Sequence, residues 1–160
     1  MLSKARVIAK MAHKGQQYGP ADYFLFHVEN VVRRIYSHPM MTQDAVAVAY
    51  LHDVLEDTEV TPEELAILGI PMYVIDCVRV LTKAPGEMYL TYINRVIESG
   101  SATALLVKYC DLQENVTQCV AQITGYADPM TRERAASLRK RYLNAMTLIR
   151  GEGPESLVAS

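Results

Sequence analysis

Ala45-Val46-Ala47-Val48-Ala49-Tyr50-Leu51-His52-Asp53-Val54-Leu55-Glu56-Asp57-Thr58 is the stretch on which the fold turns. From Ala45 to Leu55 nearly every position is apolar. So long a run suits a helix buried on all sides better than a strand. Thr42 stands where an N-cap belongs. Yet the run closes on a histidine and three acids. A buried carboxylate without a partner is costly, so a chain that places acids here pairs or metallates them. On a continuous helix His52 and Glu56 share one face, and Asp53 and Asp57 another. Adjacent His52 and Asp53 then lie about 100° apart, at ~3.6 residues per turn, and both reach one ion if the helix end faces a cleft.

Helical signals continue on either side of this stretch. Thr61-Pro62-Glu63-Glu64 reads as an N-cap, a first-turn proline and a capping-box glutamate, with Gly69 as the stop. Pro71 opens a helix running to about Thr82, and Ala84-Pro85-Gly86 is a turn. Residues 87–98 carry Tyr89, Tyr92, Ile93, Val96 and Ile97 at helical spacing. Residues 102–120 form another apolar helix. Asp128-Pro129 repeats the cap-and-proline signal for a last helix ending near Arg150. Residues 3–14 and 21–37 supply the first two helices. No segment alternates as a strand, and no repeat is visible. The expectation is an all-α bundle of about eight helices in one domain over residues 1–150, with a flexible tail at 151–160.

Bulk properties agree. The chain has 160 residues, half of them hydrophobic, with 16 basic against 18 acidic side chains. Its mean hydropathy is +0.03, which excludes a disordered composition. A net charge of −2 lacks the basic excess of a general nucleic-acid binder, so no nucleic-acid partner is expected. No apolar run approaches the ~20 residues of a membrane span, and no membrane partner is expected. The N-terminus leads straight into a helical pattern, without the apolar core of a secretory leader. Cys77, Cys110 and Cys119 are odd in number with no CxxC pair, and read as reduced thiols in a cytoplasmic protein.

Two more polar groups interrupt apolar helices. His27 sits in Phe24-Leu25-Phe26-His27-Val28, and Asp111 follows Leu105-Leu106-Val107-Lys108-Tyr109-Cys110. Singly, each is a core histidine or a salt-bridged acid. Together with His52 and Asp53 they make two imidazoles and two carboxylates from three helices. That mixed N/O set suits Mn²⁺, Fe²⁺, Zn²⁺ or Mg²⁺, with positions left for water and substrate.

The order His…His-Asp…Asp resembles the signature of the HD-domain metal-dependent phosphohydrolases. Ala12-His13-Lys14-Gly15-Gln16, His27, Leu51-His52-Asp53-Val54-Leu55-Glu56-Asp57-Thr58, Leu81-Thr82-Lys83, Val107-Lys108, Asp111 and Asn115 follow, in order over residues 4–115, the motifs of the RelA/SpoT-type alarmone hydrolase domain and its small stand-alone relatives. The resemblance implies an HD-type helical bundle and a metal-dependent pyrophosphohydrolase of the guanosine-3′,5′-bis(diphosphate) kind. It implies one metal, Mn²⁺ before Mg²⁺, Fe²⁺, Zn²⁺ or Co²⁺, on His27, His52, Asp53 and Asp111. It implies Glu56 and Asp57 as the acids that orient or deprotonate the attacking water, with Asn115 contacting substrate or orienting the site.

Gln17, Tyr18 and Gly19 stand where those relatives carry a basic run. Phosphate contacts then fall to Lys83, Lys108 and Arg95, and Tyr18 or Tyr23 is the aromatic face for a base. His13 is expected to pack near the site without ligating. Arg132, Arg134, Arg139, Lys140 and Arg141 form a solvated face or a contact between copies in a homo-oligomer. Two other functions stay open: an HD-type 5′-nucleotidase on nucleoside monophosphates, and a nucleotide-binding sensor that has lost turnover. The intact Glu56-Asp57 pair counts against the sensor, which has no need to activate water.

Overall fold

Helix α3 (Gln43–Leu51) is the apolar run, and every residue from Ala45 to Leu51 is buried. Thr42 caps it, its Oγ1 accepting from the Ala45 amide at 3.0 Å. The computed structural model describes residues 1–125 and 127–151, so the expected tail lies outside them apart from Gly151. The chain falls into two compact units, Met1–Lys108 and the residues from Tyr109 onward.

In the first unit α3 is surrounded. Helices α1 (Leu2–Ala12), α2 (Glu29–Tyr36) and α6 (Met72–Leu81) all pack on it. Each presents an apolar stripe: Ala5, Ile8 and Ala9 from α1; Val31, Val32 and Ile35 from α2; Val74, Ile75, Val78 and Leu81 from α6. Small alanines at 45, 47 and 49 of α3 let these neighbours approach closely. Helix α5 (Pro62–Ile67) and helix α7 (Tyr89–Glu98) complete the layer by packing on α6. The capping box of α5 forms as its sequence implies: Glu64 donates its amide to Thr61 Oγ1 at 3.2 Å, and Thr61 donates its own to Glu64 Oε2 at 2.8 Å.

Three local departures matter for the site. The expected helix over 21–37 is shorter and has two precursors. Strands β1 (Gln17–Tyr18) and β2 (Ala21–Asp22) form a two-residue antiparallel ladder, then Phe24–Val28 makes a π-turn, and only then does α2 begin. Gly19, with φ +61°, sits first in the two-residue hairpin turn, where a positive φ is needed. The ladder is too short to show alternation in sequence. Second, the apolar run does not pass unbroken through the acids. It stops at Leu51, turns through His52 and Asp53, and resumes as α4 (Val54–Asp57). His52 and Glu56 are therefore not on one face of a single helix. Third, α7 begins at Tyr89, which leaves Glu87 in the preceding loop.

Helix α8 (Ala102–Thr124) begins in the first unit and continues into the second. There it is followed by α9 (Pro129–Ile149), which Asp128 caps by accepting from the Thr131 amide at 3.0 Å. Ala135 and Ala145 are the buried side chains of α9. The three cysteines are free thiols, Cys110 and Cys119 buried and Cys77 half-buried. Among the described residues, no helix is long and apolar enough to cross a membrane.

The layering has a direct mutational consequence. Leu51 is completely buried at the end of α3, whereas Ile67 at the end of α5 is 85% exposed. Leu51→Ala is expected to destabilise the chain by ~2–5 kcal/mol, and Ile67→Ala by no more than ~0.5 kcal/mol, measured by urea unfolding.

Candidate metal centre and active site

The turn that interrupts the apolar run is held by its own histidine. His52 Nδ1 lies 2.7 Å from the carbonyl oxygen of Ala49. A carbonyl only accepts, so Nδ1 carries a proton, and in the neutral ring Nε2 holds the lone pair. That Nε2 points at two other groups. It is 3.3 Å from His27 Nε2 and 2.8 Å from Asp53 Oδ2, and His27 Nε2 is 3.5 Å from the same oxygen. Both imidazoles are almost fully buried, and Asp53 is partly exposed. The three form a cluster whose ligand atoms lie within 4.8 Å of one another. Lone pairs brought together in a buried place repel unless a proton or a cation lies among them. Two borderline nitrogens and one hard oxygen, with a backbone carbonyl fixing one tautomer, fit a divalent transition metal.

The π-turn and the hairpin aim this cluster. The amide of Glu29 reaches back five residues to Phe24 O, which closes the wide turn around His27. Tyr23 and His27 stack with centroids 5.0 Å apart and planes 31° apart. Tyr23 also donates its hydroxyl to Asp53 Oδ2. Tyr18 on β1 lies with its ring 5.4 Å from His27 and edge-on to Tyr23 at 5.9 Å. Tyr18 is half-exposed, so one face of this aromatic group meets solvent beside the cluster.

Glu56 and Asp57 extend from α4 just beyond. Glu56 Oε2 accepts the backbone amide of Lys83 at 2.9 Å. The residue is exposed by surface area, but its carboxyl end lies in a groove. Lost solvation there raises its pKa above the ordinary glutamate value, and the charges of Asp53 and Asp57 push the same way. The Lys83 amide and the Lys108 ammonium oppose them. This groove, of about 510 Å³, is lined by Glu56, Thr58, Thr82 and Lys83 among others. Asp57 Oδ2 accepts from Gln16 Nε2 at 2.9 Å. Lys108 is half-buried, its ammonium 5.0 Å from the centre of the Tyr92 ring.

Arg95 is bound up with the groove's far wall. It grips Glu87 with two donors at 2.9 and 3.0 Å, and gives others to the carbonyls of Val80 and Thr82 at 3.0 and 2.9 Å. It thereby braces the loop that carries Lys83. Asp111 and Asn115 belong to the second unit, where Asn115 Nδ2 donates to Asp111 Oδ1 at 2.7 Å and Asp111 is buried. Within the first unit the structure thus brings together His27, His52 and Asp53, with Glu56, Asp57, Lys83 and Tyr18 around them. Gln16 and Tyr23 have contacts at this site that sequence patterns do not assign. Their signals were present, as the last letter of AHKGQ and a tyrosine four residues before His27.

No family model matches the chain, and no curated protein matches it in sequence. Among solved structures, it is similar to one described as a metazoan ortholog of SpoT that hydrolyzes ppGpp and plays a role in starvation responses. The match covers 98% of this chain and 89% of that one, with a TM-score of 0.72 and 22% sequence identity. The two chains share a fold. It is the all-α HD-type bundle that the sequence resemblance implies.

The Arg95 brace predicts a pH dependence. Its hydrogen bonds first, then the Ala84 amide at 2.9 Å, with the Arg95 charge adding to both, hold the Glu87 carboxyl at about 2, down from 4.5. The folded value lies below the unfolded one. The pair's contribution to stability is therefore whole above about pH 4.5 and is lost as pH falls toward 2. Glu87→Gln is expected to lower the urea midpoint at neutral pH, with the gap from wild type closing as pH approaches 2. A gap independent of pH would show that the pair is not what braces the loop.

Proposed function

We propose that this chain is a metal-dependent phosphohydrolase of small nucleotides, of the guanosine-3′,5′-bis(diphosphate) 3′-pyrophosphohydrolase kind. The observation that carries this is the convergence of His27 Nε2, His52 Nε2 and Asp53 Oδ2 within 3.5 Å beside the Glu56 groove. These three would hold the metal, and the sequence resemblance adds Asp111 as a ligand and Asn115 as its neighbour. A bound Mn²⁺ supplies Lewis acidity at a phosphoryl oxygen and a more acidic water. The remaining work belongs to the chain. Glu56, whose carboxyl loses solvation in the groove and is thereby a stronger base than an ordinary glutamate, takes the proton from the attacking water, and Asp57 orients that water. Lys83 and Lys108 offer positive charge to phosphate oxygens, and Tyr18 offers a half-exposed ring to the base. Lys83 stands on the braced loop, so its backbone is fixed before substrate arrives.

One observation favours a second substrate. The hairpin beside the metal cluster, residues 17–22, contains no cation and ends in Asp22. A substrate with several phosphates gains less there than a nucleoside monophosphate. Each missing charge-assisted hydrogen bond weakens binding by ~1.5–3 kcal/mol, about ten- to a hundredfold in affinity.

Release of phosphate and pyrophosphate from a panel of nucleotides with Mn²⁺, Mg²⁺ and Co²⁺ tests the proposal. Pyrophosphate release from ppGpp, with kcat/KM above that of simple mono- and diphosphates, supports the alarmone substrate. Phosphate release from monophosphates alone supports the 5′-nucleotidase, and no release with any metal overturns both. Glu56→Gln is expected to lower kcat by ~10²-fold or more while metal content stays at the wild-type level. Asp111→Ala is expected to reduce bound metal. Retention of full metal content in that variant would remove Asp111 from the ligand set.

A further inference from the structure

Residues 13–23 send two neutral hydrogen-bond donors to two acids that stand four residues apart. Gln16 Nε2 donates to Asp57 Oδ2 at 2.9 Å, and Tyr23 donates its hydroxyl to Asp53 Oδ2. Asp57 is exposed and water could serve it equally well. The structure instead holds Gln16 from behind. His13 Nδ1 lies 2.7 Å from Gln16 Oε1. The amide group faces Asp57 with its nitrogen, so its oxygen faces His13, and His13 Nδ1 must carry the proton. His13 is 1% exposed, and its Nε2 has no hydrogen-bond partner among the described residues. A buried ring nitrogen left in that state is a standing cost, which the other edge of the ring must justify.

Tyr23 is equally constrained. It is 7% exposed and packs against the rings of both His13 and His27, each 5.0 Å away. The two donors are also joined to each other, because the Tyr23 amide donates to the Gln16 carbonyl at 3.0 Å. Gly15, with φ +83°, supplies the left-handed turn that brings the chain back after α1.

We propose that Gln16 and Tyr23 are positioning residues: Tyr23 sets the angle of Asp53 toward the metal, and Gln16 sets the angle of Asp57 toward the reacting water. This rests on the metal-centre function proposed above. A ligand carboxylate that loses its outer hydrogen bond rotates more freely, and metal affinity drops by ~10–100-fold in such cases.

The two halves are tested separately. For Tyr23→Phe, calorimetric titration with Mn²⁺ is expected to show Kd weakened about tenfold, and the visible spectrum of the Co²⁺-loaded protein is expected to change. Wild-type Kd with a wild-type spectrum would overturn the role of Tyr23. For Gln16→Leu, kcat on the best nucleotide of the panel is expected to fall about tenfold with KM near wild type. It should fall no further when Gln16→Leu is added to Asp57→Asn. Effects that multiply in full would overturn the role of Gln16. Gln16→Glu, which keeps the length but faces Asp57 with an acceptor, should be at least as impaired as Gln16→Leu; wild-type kcat in it would overturn that role too. Thermal unfolding of each variant near wild type separates positioning from loss of fold. A wild-type protein that binds neither Mn²⁺ nor Co²⁺ would overturn the metal centre itself, and would do so before any variant is made.

Discussion

Two imidazole nitrogens and a carboxylate oxygen face one another at the end of the most apolar helix in the chain. Everything near them serves to keep them there. His52 gives its other nitrogen to Ala49, which both fixes the tautomer and turns the backbone out of α3. Burial of α3 on all sides makes that turn rigid, because none of the helices packed on it can shift without opening the core. The close approach of the three groups is thus held by hydrophobic packing some distance from it.

The acids beyond the turn are set by a different kind of contact. Glu56 is tied to the Lys83 amide across the groove, and the Lys83 loop is tied in turn to α7 through Arg95 and Glu87. Asp57 is tied to residue 16, near the end of α1. Two acids adjacent in sequence are therefore anchored to different segments of the first unit. Their directions are therefore set by separate contacts.

Much of this could be read from the residues in order. The caps at Thr42, Thr61 and Asp128 are local chemistry, and they form where the pattern puts them. His27, His52 and Asp53 were visible because polar groups on apolar helices need an explanation. The break at His52 was not visible, since Val54 and Leu55 continue the apolar run and hide it. The hairpin was hidden by its two-residue strands, and the π-turn by having the same composition as an α-helix. The partners of Arg95, and the Asp57 partner of Gln16, lie 8 to 41 residues away, and no spacing rule reaches across a loop to find them.

The π-turn at Phe24–Val28 makes this region of the chain intolerant of insertion or deletion in one place and tolerant in another. A π-turn is an α-turn that has taken in one extra residue. Removing a residue between Phe24 and Val28 would restore the α-helical path and swing His27 about 100° around the axis, away from His52. The hairpin just before it ends in an exposed two-residue turn at Gly19 and Pro20, where added length would simply bulge into solvent. Within eleven residues the chain therefore holds a site where length can drift freely and a site where a single residue decides whether His27 meets His52 and Asp53.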